Sequence, residues 1–215
     1  LLKPSLVMAI LFPVIMAIYY TSVTFFIRHF LPRYEPSIGL FSIIILARFF
    51  VSFSPTSNAF INAMNKQKFL VPIYLAGIAI VAVSSIVFIK SGFGQNSVAI
   101  GLLVSFFFTG SAIFIYAIGH FTKSIFKRIA YLGGLYLPLV YIAAVVFFNE
   151  KVISSSTAIL PDTMKLCAKL AVLCIFSMPL AYAANLKTGI VADLITFLKK
   201  GNLKYETGDV GPISN

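Results

Sequence analysis

Six blocks of apolar residues, each close to the length of a membrane-spanning helix, constrain this chain more than any other feature. They run over residues 4–27, 37–57, 69–89, 96–119, 129–148 and 164–184. An α-helix rises 1.5 Å per residue, so about 20 residues cover the roughly 30 Å of hydrocarbon in a bilayer. In water such blocks would all need burial. Yet 60% of the 215 residues are hydrophobic, 11% are charged, and the mean hydropathy is +0.98. Soluble domains carry roughly 25% charged residues. A chain so poor in charge lacks the polar surface to cover itself, and lipid is the solvent it suits. The expectation is an all-α, polytopic membrane protein, with a six-transmembrane-helix bundle over residues 1–185.

The segments between the blocks, RHFLPRYEP, NAMNKQK, KSGFGQ, HFTKSIFKR and NEKVISSSTAILPD, collect charges and turn formers. Short connections of this kind make consecutive helices antiparallel neighbours. Pro55 and the Ser, Thr and Asn residues around it soften the end of the second block, which extends through Ile61 with a kink if the helix continues. Lys and Arg on alternate sides number ten against five. Positively charged loops are retained in the cytoplasm, so both ends of the chain are expected there, in the cell membrane. Beyond the sixth block, LKTGIVADLITFLKK places Ile190, Val191, Leu194, Ile195 and Leu198 at helical spacing. Residues 186–201 thus read as an amphipathic helix on the cytoplasmic leaflet, and residues 202–215 as a disordered tail. The sequence opens at Leu1 without a signal-peptide pattern, which implies an upstream portion.

Several functions find no support. The net charge of +11 comes from cations scattered between apolar blocks, unlike a basic groove for nucleic acid. Cys167 and Cys174 lie seven residues apart in one predicted helix, about 10 Å along its axis, too far for a disulfide, and read as packing residues. Glu35, Glu150, Asp162, Asp193, Glu206 and Asp209 all fall in predicted loops or the tail, so no predicted span holds a carboxylate for a proton or sodium relay. His29 and His120 stand at opposite faces with no ligand-spaced partner, which argues against a metal site. Neither a phosphate-binding loop nor a nucleophile elbow is present. The expectation is a non-enzyme without a cofactor.

The positive signals are cations within apolar helices. Arg48, inside SIIILARFFVSF, costs about 2.5 to 3.5 kcal/mol on insertion scales and requires compensation. Ser52 and Thr56 follow it at four-residue steps as a weak polar stripe. Either this stripe faces a substrate cavity, or Arg48 pairs with a carboxylate from elsewhere or snorkels to the headgroups. Lys169 lies four residues after Lys165 on the same face of the last span. If Arg48 and Lys169 share a cavity, that cavity suits an anionic substrate such as a diphosphate. Tyr74, Tyr116, Tyr136 and Tyr141 fit interface anchoring or packing better than sugar stacking. Pro13, Pro72, Pro138 and Pro179 predict kinks, which serve either packing or movement.

The order of three motifs between the spans resembles a known family. LPRYEPS after the first span, INAMNKQKF between the second and third, and SGFGQNSVAIG opening the fourth are similar to the second half of Wzx-type lipid-linked oligosaccharide flippases of the MOP exporter superfamily. The resemblance covers residues 1–185. It implies the C-terminal bundle of a MATE-like transporter, partnered by an N-terminal bundle. It also implies alternating access for a polyprenyl-diphosphate-linked oligosaccharide used in surface polysaccharide synthesis. Arg48 then matches a cationic cavity position, whereas Lys169 has no motif to anchor it. Asn65 stands where relatives have Gly before the Lys, and the last loop is long for the family. A multidrug or cation exporter of the same superfamily, a scaffold subunit, and a membrane-embedded transferase of the same pathway are the competing readings.

Overall fold

The computed structural model describes residues 2–52, 54–153 and 159–188. They form α1 (Leu2–Phe30), α2 (Ser37–Ser52), α3 (Ser54–Ala63), α4 (Leu70–Lys90), α5 (Asn96–Ile118), α6 (Ile125–Val152) and α7 (Ile159–Thr188). Short 3-10 turns at Pro32–Tyr34 and Gln67–Phe69 complete the connections, and no strand occurs among the described residues. Six segments, with α2 and α3 counted as one, are long and apolar enough to cross a membrane. Large apolar side chains lie exposed along their flanks, as at Val71, Leu75 and Ile78 on α4 and Leu137 and Val140 on α6. Apolar flanks on this scale would be unstable in water and are what lipid requires. The chain is a multi-pass helical membrane protein.

Helix α5 is the most enclosed span, with 39% of its most apolar stretch buried against 11% for α7. It packs on α2, α3, α4 and α6, while α1 packs on α2, α6 and α7. One core joins α1, α2, α5 and α6 through Ala9, Phe49, Phe50, Phe114, Ile118 and Leu135. Tyr136 meets Phe50 edge to face, with centroids 5.3 Å apart, and its hydroxyl lies 2.7 Å from Ser111 Oγ. A buried hydroxyl costs little once so bonded. Ala17, Ile142 and Leu173 hold α1, α6 and α7 together.

The α4–α5 interface is built on small residues. Ser105 Oγ donates across it to the Gly77 carbonyl at 2.7 Å, and a Cβ on Gly77 would lie 2.5 Å from Thr109 Oγ1. Helices in lipid gain nothing from mutual hydrophobicity, so close backbone approach and interhelical hydrogen bonds supply the attraction. Tight turns set the connections. Gly92 and Gly94, at φ of 83° and 54°, occupy the left-handed region that glycine enters without a Cβ clash, and Asn65 does so at 55° between α3 and α4.

Helix ends differ from expectation. The sixth-block region begins at Ile159 instead of 164, and the fifth runs from Ile125 to Val152 instead of 129–148. Glu150 therefore belongs to α6 and Asp162 to α7, which overturns the placing of every carboxylate outside the spans. Pro72 is the third residue of α4, where its missing N–H has no intrahelical partner to lose, so it causes no kink. Pro13, Pro138 and Pro179 do sit inside α1, α6 and α7. The second span is helical over Ser37–Ser52 and Ser54–Ala63 and so reaches past Ile61, with Phe53 outside the described residues. Cys167 and Cys174 are exposed rather than packed. Residues 186–188 continue α7, and the rest of the expected amphipathic helix and tail lies outside the described residues.

Candidate functional site

Between α1, α2 and α6 the helices part to leave a groove of about 530 Å³. Small side chains at Ala17 and Ala143 make the space, Pro13 lies at one wall, and Leu46, Leu139, Ile142 and Val146 give it an apolar surface. Tyr20 and Ser42 contribute hydroxyls, and Glu150 lines it together with its neighbour Phe147. The volume falls in the range that accepts a small molecule or part of a lipid.

Glu150 also belongs to a second, much smaller cavity in the corner where α1, α6 and α7 meet, at the C-terminal end of α1. There Lys169 Nζ lies 3.1 Å from Glu150 Oε1, with the two side chains 8% and 29% exposed. Asn149 Nδ2 donates to the Lys169 carbonyl at 3.0 Å, so consecutive residues of α6 hold both the side chain and the backbone of one residue of α7. On the other side of the corner His29 Nε2 lies 3.7 Å from Asp162 Oδ2, and both side chains are buried. His29 Nδ1 donates to the Phe25 carbonyl at 3.1 Å. Arg28 faces Glu35 at 3.8 Å. Arg28, Lys165, Thr21 and Thr24 complete the lining, and Thr24, 3% exposed, has a hydroxyl oxygen without a hydrogen-bond partner.

Alternating charge is what makes such a corner tolerable. A buried charge left alone costs several kcal/mol, and pairing with good geometry offsets most of it. The lining holds three cations, Arg28, Lys165 and Lys169, and two carboxylates, Glu150 and Asp162. Glu35, paired with Arg28 from just outside the lining, brings the carboxylates to three, so the empty corner is close to neutral.

The four residues expected from sequence are not brought together. Lys169 is in the charged corner, neutralised by Glu150. Arg48 projects from α2 as an exposed residue, lines neither cavity, and has no ion pair or hydrogen bond among the described residues. Ser52 Oγ donates to the Phe49 carbonyl at 2.7 Å, which uses its hydroxyl within its own helix. Thr56 is half-buried on α3. Sequence reasoning missed Glu150, Asp162, Asn149 and Thr24. The usable signal was helix propensity, because Asn149, Glu150 and Lys151 follow AAVVFF without a turn former, and Glu and Lys extend helices readily.

Compared with protein-family models, with curated proteins and with solved structures, the chain matches none. Its class, a multi-pass helical membrane protein, rests on the spans and their apolar flanks.

Proposed function

We propose that this chain is a six-helix unit of a transporter that flips an anionic, lipid-linked saccharide across the cell membrane by alternating access. The observation that carries this reading is the apolar groove ending on the Glu150–Lys169 pair. A polyprenyl chain needs a lateral apolar surface, and its diphosphate needs cations at one end of that surface. Arg28, Lys165 and Lys169 stand there. Lys169 has a carboxylate partner it can exchange for a phosphate oxygen, so the site stays neutralised when empty. In this reading both chain ends are cytoplasmic and the charged corner faces outward. Arg48, exposed on an apolar helix, meets a second six-helix bundle across the pathway.

The carboxylates Asp162, buried, and Glu150, half-buried, favour a second reading within the same superfamily, an exporter of cations or drugs driven by an ion gradient. Expression of the full-length gene separates the two. In a deletion strain, restored surface polysaccharide supports the flippase, and restored drug tolerance supports the exporter. Filling the groove with Ala143→Trp is expected to lower flipping of a fluorescent polyprenyl-diphosphate saccharide in proteoliposomes by about tenfold or more, with insertion into the membrane unchanged. Full flipping by that variant excludes the groove as the pathway. Arg48→Ala is expected to lower it as well, and Arg48→Lys to retain part of it; full activity of Arg48→Ala removes Arg48 from the substrate path.

A further inference from the structure

At the end of the bundle opposite the charged corner, the α3–α4 and α5–α6 connections meet. Lys66 Nζ donates to His120 Nε2 at 2.9 Å, and His120 Nδ1 donates back to the Tyr116 carbonyl at 3.2 Å in the last turn of α5. Rings fill the space between the connections. Phe60 lies 5.0 Å from Phe121 and 6.2 Å from His120, and Phe69 lies 5.5 Å from Tyr116, between centroids. Arg128 fixes the second connection by donating from Nε to the Thr122 carbonyl at 2.8 Å and from a terminal nitrogen to the Lys123 carbonyl at 3.3 Å. Two loops some 50 residues apart in sequence are thus locked into one surface.

Among the described residues that surface is cationic without compensation. Lys66, Lys68, Lys123, Lys127 and Arg128 share it, and the acidic side chains among the described residues, Glu35, Glu150 and Asp162, all stand at the other end. Arg128 is occupied by carbonyls, and Lys66 gives one of its three ammonium protons to His120 and keeps two. Lys68, Lys123 and Lys127 are exposed. Large exposed apolar side chains stand among them: Phe69, Phe121, Ile125 and, at 81% exposure, Phe126. They stand at the ends of four candidate spans, at Ala63, Gln67, Ile118 and Ile125, and so lie at membrane-interface depth. Lysines interleaved with aromatics at that depth place cations at headgroup phosphates and rings at the acyl boundary.

From this we infer a binding site for anionic phospholipid, with the headgroup phosphate held between Lys66 and Lys68 of one connection and, across from them, Lys123 of the other connection and Lys127 in the first turn of α6. The Lys66–His120 hydrogen bond sets the spacing of the two halves. The site is independent of what the protein transports and lies at the other end of the bundle from the groove's charged corner.

The test is lipid binding to the purified full-length protein in nanodiscs of phosphatidylcholine, titrated with phosphatidylglycerol and read by native mass spectrometry. Phosphatidylglycerol is expected to bind, and K66Q/K68Q/K123Q/K127Q to lower that affinity by about tenfold or more. K90Q/K151Q, which removes two lysines from the opposite end, is expected to leave it unchanged. Binding by the quadruple variant equal to that of the unmodified protein overturns the inference. So does an equal loss in K90Q/K151Q, or retention of phosphatidylcholine as strong as that of phosphatidylglycerol. Displacement of the lipid by millimolar inorganic phosphate would reassign the site to a soluble anion and overturn it too.

Discussion

Lys169→Ala is expected to destabilise the protein by about 1–3 kcal/mol, less than for a fully buried pair because the carboxylate left without its partner is only half-buried. The side chain removed is 8% exposed and sits 3.1 Å from Glu150. The carboxylate left behind has apolar groove on one side and the charged corner on the other. Glu150→Gln alone should also destabilise, because it strands the ammonium. The double variant Lys169→Met with Glu150→Met should recover most of the loss, since two apolar residues of similar volume remove both desolvation penalties at once. Thermal unfolding in nanodiscs reads all four proteins. A single-variant Tm within a degree of the unmodified protein would show that the pair carries no stability. A double variant as unstable as Lys169→Ala would trace the loss to packing rather than charge. Asn149 donates to the Lys169 backbone carbonyl, so none of these side-chain changes removes that α6–α7 contact directly.

How much of this was legible beforehand follows from what each feature depends on. The spans were legible because lipid imposes one solvent on 20 or so consecutive residues, and no tertiary contact is needed to read that. Their ends were not. Apolarity stops near residue 148, but the α6 backbone stays helical to Val152, since Asn149 and Glu150 both find a partner in Lys169 of α7. The charged corner was illegible for a related reason. Its groups come from Thr24 on α1, Glu150 on α6 and Lys169 on α7, and no period within one helix links them. Arg48 shows the same dependence on tertiary structure. A charge in an apolar run signals a requirement for compensation, but which way it faces depends on the rotation of α2, fixed by buried Ala47, Phe49 and Phe50 next to it. Those three face the core, and Arg48 is turned out.

The second large effect is expected at Gly101. A Cβ there would collide with the Ser85 hydroxyl and lie 3.2 Å from both the Ser84 hydroxyl and the Ser85 backbone nitrogen. A serine side chain can rotate away, but the α4 backbone cannot move without α4 as a whole. Gly101→Leu should therefore push α4 off α5, with a loss of about 1–3 kcal/mol from overpacking. The Ser105–Gly77 hydrogen bond, one turn further along the same interface, should weaken with it. Lipid aggravates the effect, because separated apolar helices are solvated by acyl chains as well as by each other, and packing was the attraction lost. Gly133→Leu is the control, since nothing lies within 4 Å of a Cβ at Gly133 on α6. Thermal unfolding should separate the two variants by several degrees, and limited proteolysis in nanodiscs should cut the SGFGQ turn between α4 and α5 faster in Gly101→Leu alone. Equal behaviour of the two would mean that the close approach of α4 and α5 is not what holds them together. If that were so, the interface would rest on the hydrogen bond from Ser105, and Ser105→Ala would become the disruptive change.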